Sequence, residues 1–228
     1  MNKMPTIGKR DRSLRRRGRP REIGFRIFAI FLLILSALCA AAAASQWSGV
    51  RWVDDGDTVV LADGTRVRYI GINAPEIARD DMAAERFGPE AWAFNRALVH
   101  KKRVRLELDR KRHDQYGRLL AYVFLEDGTF VNKELVRGGY AYYVFRRPNA
   151  KYDRLLLSVQ QEAMARRVGL WKAFRNQRET YIGNRNSRRF HRATCDFGKA
   201  TSTKNRTLLK TRYEAFWAGY SPCKHCKP

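Results

Sequence analysis

Cysteine is scarce in this chain of 228 residues: there are four, and three of them, Cys195, Cys223 and Cys226, fall near the C-terminus. The long middle stretch has none, so an apolar core rather than disulfides must hold it. Acidic residues are also few, with 22 Asp and Glu against 46 Lys and Arg and a formal net charge of +24. That excess lies far outside the range of an ordinary small domain. It implies a polyanionic partner, either nucleic acid or an anionic membrane surface. No convincing internal repeat is present, and nothing resembles a recognition helix for the major groove.

The positive charge concentrates at the two ends. Residues 1–26 carry ten basic and two acidic side chains, and residues 176–228 carry twelve and three. Between them, residues 27–175 carry 24 and 17. The N-terminal 26 residues read as a solvated basic tail on the cytoplasmic side. Residues 27–44, IFAIFLLILSALCAAAAA, form an uncharged apolar run expected to be helical. Basic, apolar and small-residue regions in that order match a secretory signal, cleaved after Ala42, Ala43 or Ala44. Eighteen apolar residues also approach the minimum for a membrane-spanning anchor, and a buried soluble helix is the third reading. Leu38 is a poor residue before a lipid-modified Cys39. The expectation is an exported protein, periplasmic or secreted, or one anchored in the membrane by residues 27–44 with the remainder outside.

From residue 47 the pattern becomes that of a folded domain. Val59, Val60 and Leu61 read as a strand followed by the Asp63-Gly64 hairpin signal. Residues 67–72 form the next strand, and Pro75 forces a turn. Phe87, Ala91, Phe94, Leu98 and Val99 have a helical period, with Pro89 near the helix start. Strands are expected at 103–108 and 118–125. Helices are expected at 130–137 and 152–168, with Gly169 as C-terminal cap. A four- or five-strand antiparallel sheet with about three helices is expected, and a small closed barrel is the economical way to pack so many short strands. The organisation expected is a main domain over 47–174, a polar linker over 175–189 and a small unit over 190–228.

Asp54, Asp55 and Asp57 cluster before one strand, and Glu76 follows the proline turn after its hairpin partner. Converging carboxylates repel one another unless a hard divalent cation, calcium or magnesium, neutralises them. The alternative is ordinary turn acids that never meet. Arg68 lies inside a strand and Arg118 begins another. Half-buried arginines need an anionic partner, and the planar guanidinium fork suits a phosphate. Structural ion pairs to the nearby acids are the competing reading.

Five stretches then resemble the thermonuclease, or staphylococcal nuclease-like, family: VDDGDTVVL (53–61), RVRYIGINAPE (66–76), FGPEAWAF (87–94), DQYGRLLAYVF (114–124) and VNKELVRGGYA (131–141). The resemblance runs from about residue 47 to 171. It implies a mainly β fold, a five-stranded OB-fold barrel with about three helices, and calcium-dependent hydrolysis of DNA and RNA. It implies that Asp57, Asn73 and the main-chain carbonyl of Ala74 hold calcium. Asn73 stands where well-studied family members carry a second carboxylate, so weaker calcium binding is expected. Glu76 resembles the general base, and Arg68 and Arg118 the pair gripping the scissile phosphate. Tyr143 corresponds to a tyrosine lining the nucleotide pocket, although the preceding loop is one residue shorter. Sequence specificity should be low, because guanidiniums on phosphate read the backbone.

In the C-terminal unit, FHRATC sets His191 four residues from Cys195, and SPCKHCKP sets Cys223 and Cys226 in a C-x-x-C. These are four ligands of a candidate tetrahedral zinc site, with His225 as a spare. A disulfide is the rival reading, leaving an odd thiol. Either staple is needed, since so small a unit has too little core to fold alone. It resembles a small His-Cys-Cys-Cys module appended to some bacterial nuclease-like and surface proteins. The leading function is a calcium-dependent nuclease acting on DNA and RNA, monomeric and without an implied protein partner. The rivals are a non-catalytic OB-fold binder of single-stranded nucleic acid and a membrane-tethered adaptor.

Overall fold

A computed structural model describes residues 47–79, 82–172, 174 and 178–228. Five strands close into a barrel: β1 (Trp47–Asp55), β2 (Thr58–Leu61), β3 (Arg66–Tyr69), β5 (Arg103–Glu107) and β6 (Leu119–Leu125), in the order β1-β2-β3-β6-β5. Closure depends on β1, which pairs with β5 through Trp47–Gly49 and with β2 from Val50 onward. Two register irregularities, at Val50/Trp52 and Val53/Asp55, bend it between these partners. The β3–β6 pair is parallel and the other barrel pairs are antiparallel. The expected OB-type five-stranded barrel is therefore present. β4 (Ile72–Asn73) pairs outside it with β7 (Tyr142–Tyr143).

Three helices pack on the barrel: α1 (Gly88–Val99), α2 (Val131–Arg137) and α3 (Asp153–Ala165). Val59, Val67, Val104, Val123 and Leu135 are fully buried between barrel and helices. Burying each such side chain contributes roughly 1.5–3 kcal/mol. Buried amides connect the layers. Asn132 accepts from the Val123 N–H (3.0 Å) and donates to the Ile70 carbonyl (2.9 Å). Asn95 donates to the Asp55 carbonyl (3.0 Å) and accepts from the Tyr69 hydroxyl (3.1 Å). Trp92 on the same helix donates to the Val53 carbonyl (3.0 Å). Through these bonds α1 holds the end of β1 where the aspartates cluster.

The C-terminal region forms a second sheet. Its strands are β8 (Arg178–Asn184), β9 (Arg189–Arg192), β10 (Arg206–Thr211) and β11 (Ser221–Pro222), in the order β10-β8-β9-β11. Short helices α4 (Asp196–Lys199) and α5 (Arg212–Trp217) complete it. The expectation of a linker over 175–189 is corrected here, because Arg178–Asn184 is a strand paired on both sides. Its polar composition conceals a fully buried Tyr181, edge-on to Phe190 at 5.6 Å. The unit is docked firmly on α3 and the residues after it. Phe216 meets Trp171 at 5.2 Å, and the Gln160 side chain donates to the Phe216 carbonyl (2.7 Å).

Among the described residues no helix is long and apolar enough to cross a membrane. This corrects the expected membrane contact and the membrane-anchored location; the apolar run 27–44, on which both rested, lies outside the described residues.

Candidate active site

The β1–β2 turn places Asp57. A side chain at Gly56 would come 2.5 Å from the Ala74 Cβ and 2.9 Å from the Ala91 Cβ, so only glycine lets the turn press against β4 and α1. The Asp57 N–H donates to the Asp55 carboxylate (2.9 Å). Its own Oδ2 accepts from the Ala74 N–H (2.6 Å) and pairs with Arg68 Nη2 (2.9 Å). Burial pushes the Asp57 carboxyl up to about 8; Arg68 pulls against that shift, and Asp55 adds to it. A buried carboxylate so short of counter-charge is suited to a cation.

Arg68 sits on β3 with its guanidinium spread over four acceptors. Besides Asp57 it donates to the carbonyls of Tyr69 (2.9 Å) and Ile72 (3.0 Å) and to Asn73 Oδ1 (3.0 Å). Asn73 in turn donates to the Ala74 carbonyl (2.9 Å) and to the Tyr142 hydroxyl (3.1 Å). Asp57 and Asn73 are thus joined through Arg68, and the Ala74 carbonyl to Asn73 through its amide nitrogen; together the three offer oxygen donors with a single formal charge among them. Such a set fits a hard cation such as calcium. Asp55 is a further carboxylate within the same cavity.

Glu76 lies on the turn after Pro75, its N–H donating to the Glu85 carboxylate (3.2 Å). The start of α1 presses on this turn, since a side chain at Gly88 would stand 2.2 Å from the Glu76 carbonyl oxygen. Burial raises the Glu76 carboxyl above the ordinary glutamate value, and Asp55 and Glu85 add to that; Arg68 and Lys224 oppose it.

Arg118, just before β6, is held by Asp114: its Nε donates to Oδ2 (2.8 Å) and its N–H to Oδ1 (3.0 Å). Burial works against the Asp114 charge, yet Arg118 and the Tyr116 N–H hold that carboxyl below its ordinary value. Tyr116 is 73% exposed, with the Arg118 guanidinium 5.5 Å from its ring centre.

Asp57, Arg68, Asn73, Glu76 and Arg118 line one cavity of about 550 Å³. Tyr143 is not among its lining residues. It is 4% exposed in the core, which corrects its expected placement in the nucleotide pocket. Adjacent strand residues face opposite ways, and it is Tyr142 whose hydroxyl reaches Asn73.

Several lining residues escaped the sequence reading. Arg146 follows β7 in sequence, and Arg189, Lys224 and His225 come from the C-terminal unit. Partial desolvation lowers the Arg146 guanidinium, and Arg68 and Arg118 nearby lower it further. Arg189 is lowered by burial and then by Arg146. Only the net positive charge hinted at these residues, and it could not distinguish them from the other basic side chains.

In the C-terminal unit the ligand atoms of His191, Cys195, Cys223 and Cys226 all lie within 4.8 Å of one another. The three cysteines are free thiols, so no disulfide competes among them. His225 stacks edge-on against Phe197 at 5.2 Å and is outside the cluster. Three sulfurs and one imidazole, mostly buried, fit a structural zinc ion.

Residues 66–173 match the family described as Staphylococcal nuclease homologue, and residues 171–228 match the Metal binding domain of Ada. The chain is 40% identical over 126 residues to a thermonuclease of Staphylococcus intermedius, covering 54% of this chain and 74% of that protein. It is 36% identical over 122 residues to a thermonuclease of Staphylococcus hyicus, covering 52% and 72%. It is 35% identical over 137 residues to the endonuclease YncB of Bacillus subtilis (strain 168), covering 58% and 62%.

Proposed function

Because this chain belongs to the staphylococcal nuclease homologue family and is a nuclease, we propose that it hydrolyses the phosphodiester backbone of DNA and RNA, with calcium and with little regard for base sequence. The observation carrying this reading is that one cavity is lined by Asp57, Arg68, Glu76 and Arg118. Glu76, ionised, takes a proton from the attacking water. Water oxygen bonds to phosphorus, the ester bond to the leaving oxygen breaks, and that oxygen takes a proton from solvent as Glu76 returns its own to solvent. Arg68 and Arg118 donate hydrogen bonds to the equatorial and leaving oxygens, where negative charge grows. Asp114 orients Arg118 for this role through its two hydrogen bonds.

Asp57, Asn73 and the Ala74 carbonyl are the residues that would hold calcium. When bound, the ion supplies positive charge to the phosphoryl oxygens. The amide at Asn73 donates less charge than a carboxylate, so calcium is held weakly. The His191, Cys195, Cys223 and Cys226 cluster holds zinc in a structural role. Phosphate-directed guanidiniums leave base edges unread, which accounts for low specificity.

The test incubates the full chain with single- and double-stranded DNA and with RNA, in calcium and in chelator. Calcium-dependent cleavage of all three substrates is expected. Retained binding without cleavage under any metal condition would overturn the hydrolytic reading in favour of a pure binder.

A further inference from the structure

The cavity that holds Asp57, Arg68, Glu76 and Arg118 is not built by the barrel alone. Arg189, Lys224 and His225 line it from the His/Cys unit. Arg189 lies on β9 two residues before the zinc ligand His191, so the two side chains share one face of the strand. Its Nη1 donates to the Pro222 carbonyl (2.9 Å), next to Cys223. Lys224 lies between the two cysteines of the C-x-x-C and lines the same cavity as Glu76. The His/Cys cluster therefore positions the backbone that carries both residues at the cavity.

Arg146 lines the same cavity, as do Arg68 and Arg118. Neither Arg146 nor Arg189 makes an ion pair among the described residues. Two guanidiniums lining one partly enclosed cavity without an acidic partner are unfavourable unless an anion sits between them. Arg68 and Arg118 are already assigned to the scissile phosphate. We propose that the His/Cys unit is a wall of the nuclease cleft, and that Arg189 from this wall and Arg146 from the barrel side together grip a second backbone phosphate, next to the one that is cut. This rests on the nuclease reading above and extends its substrate contacts to a strand of at least two phosphates. Zinc then has a consequence for catalysis without touching the substrate, because it sets the position of Arg189.

The experiment uses the full chain carrying Glu76→Gln, which binds without cutting, and a fluorescent single-stranded oligothymidine. Arg189→Gln and Arg146→Gln should each weaken binding several-fold and lower the slope of log affinity against log salt by about 0.7, the value for one single-strand phosphate contact. The double variant should lose little more than either one alone, because one phosphate is shared. Arg189→Lys should restore part of the slope. In the chain with Glu76 intact, Arg189→Gln should lower kcat/KM for the oligonucleotide more than for a chromogenic diester with a single phosphate.

Unchanged affinity and salt slope in both variants would overturn the proposal. So would an equal loss of kcat/KM on the strand and on the single-phosphate diester. Zinc content is measured for each protein; if Arg189→Gln loses its metal, Arg146→Gln and Arg189→Lys carry the test. Failure of the parent chain to cut any substrate would instead overturn the nuclease reading, while the binding slopes would still decide whether the second phosphate is held.

Discussion

Arg68 and Asp57 form a buried ion pair, Nη2 to Oδ2 at 2.9 Å, in which the Asp57 carboxyl is still pushed up to about 8. One guanidinium therefore does not compensate for the burial of Asp57 beside Asp55. Arg68 carries two burdens at once: it partly neutralises an aspartate and faces the cavity where phosphate charge would grow.

Arg68→Met should lower kcat by a factor of roughly 10² to 10³, the typical loss of a transition-state donor. Its effect on stability should depend on pH. Removing Arg68 raises the folded-state value of Asp57 further above its ordinary one. A carboxyl raised on folding stabilises the protein at low pH and loses that contribution as pH rises through the folded value. Thermal melts without calcium should thus show a larger loss at pH 9 than at pH 6. An equal loss at both would mean that Asp57 does not titrate in this range.

Glu76 sets a second pH dependence. Its carboxyl is raised by burial and by Asp55, so the base-competent form disappears at a higher pH than for an ordinary glutamate. The acid limb of kcat/KM should lie above 4.5. Lys224 opposes the shift, so Lys224→Met should move the limb upward. Glu76→Gln should abolish most turnover and should stabilise the fold more at pH 8 than at pH 5. A pH–rate profile indifferent to both substitutions would assign the base elsewhere.

Asn73→Asp adds a charge to the oxygen group. The calcium concentration for half-maximal cleavage should fall, by about tenfold for each 1.4 kcal/mol gained. The new carboxylate cannot donate to Tyr142 and the Ala74 carbonyl, so the calcium-free fold should lose stability. An unaltered calcium requirement would remove Asn73 from the ligand set.

Gly88→Ala places a methyl group against the Glu76 carbonyl, where only 2.2 Å is available. The turn bearing Glu76 must shift. Overpacking of this kind costs about 1–3 kcal/mol. Cleavage should fall further than the stability loss explains, as judged by activity well below the melting temperature. Activity equal to the parent would show that the position of Glu76 tolerates this movement.

Metal analysis of the purified chain should find one zinc, lost in Cys223→Ser. Hydrogen exchange should then accelerate across β8–β11 with little change in β2, β3 and β6. Retained protection without zinc would mean that the aromatic contacts of Phe216 with Trp171 suffice.

Much of the site was legible in the chain because its signals are local. Asp57 stands at a Gly-containing turn, Glu76 just past Pro75, and Arg118 four residues after the Asp114 that holds it. Turn chemistry of this kind depends on neighbours along the chain. Strand β8 was missed because polar residues flank its buried Tyr181, Ile182 and Gly183, and burial there depends on β9, β10 and the aromatic cluster around Phe216. Tyr143 was misplaced for a related reason: a shift of one residue along a strand reverses the direction of every side chain.

By itself the sequence determined the chemical groups: two arginines, the acids, the amide at Asn73, and a histidine with three cysteines in paired spacing. It also determined where several barrel strands lie along the chain, since β-branched runs punctuated by turns mark them, while the parallel pairing of β3 with β6 came from the tertiary structure. Only the tertiary structure decided that Arg146 and Arg189 share the cavity with Arg68 and Arg118, and that the His/Cys unit forms part of its wall. Those relationships come from packing between segments far apart in the chain. Whether a basic side chain faces water or a phosphate depends on desolvation by what lies across from it, and no local pattern records that.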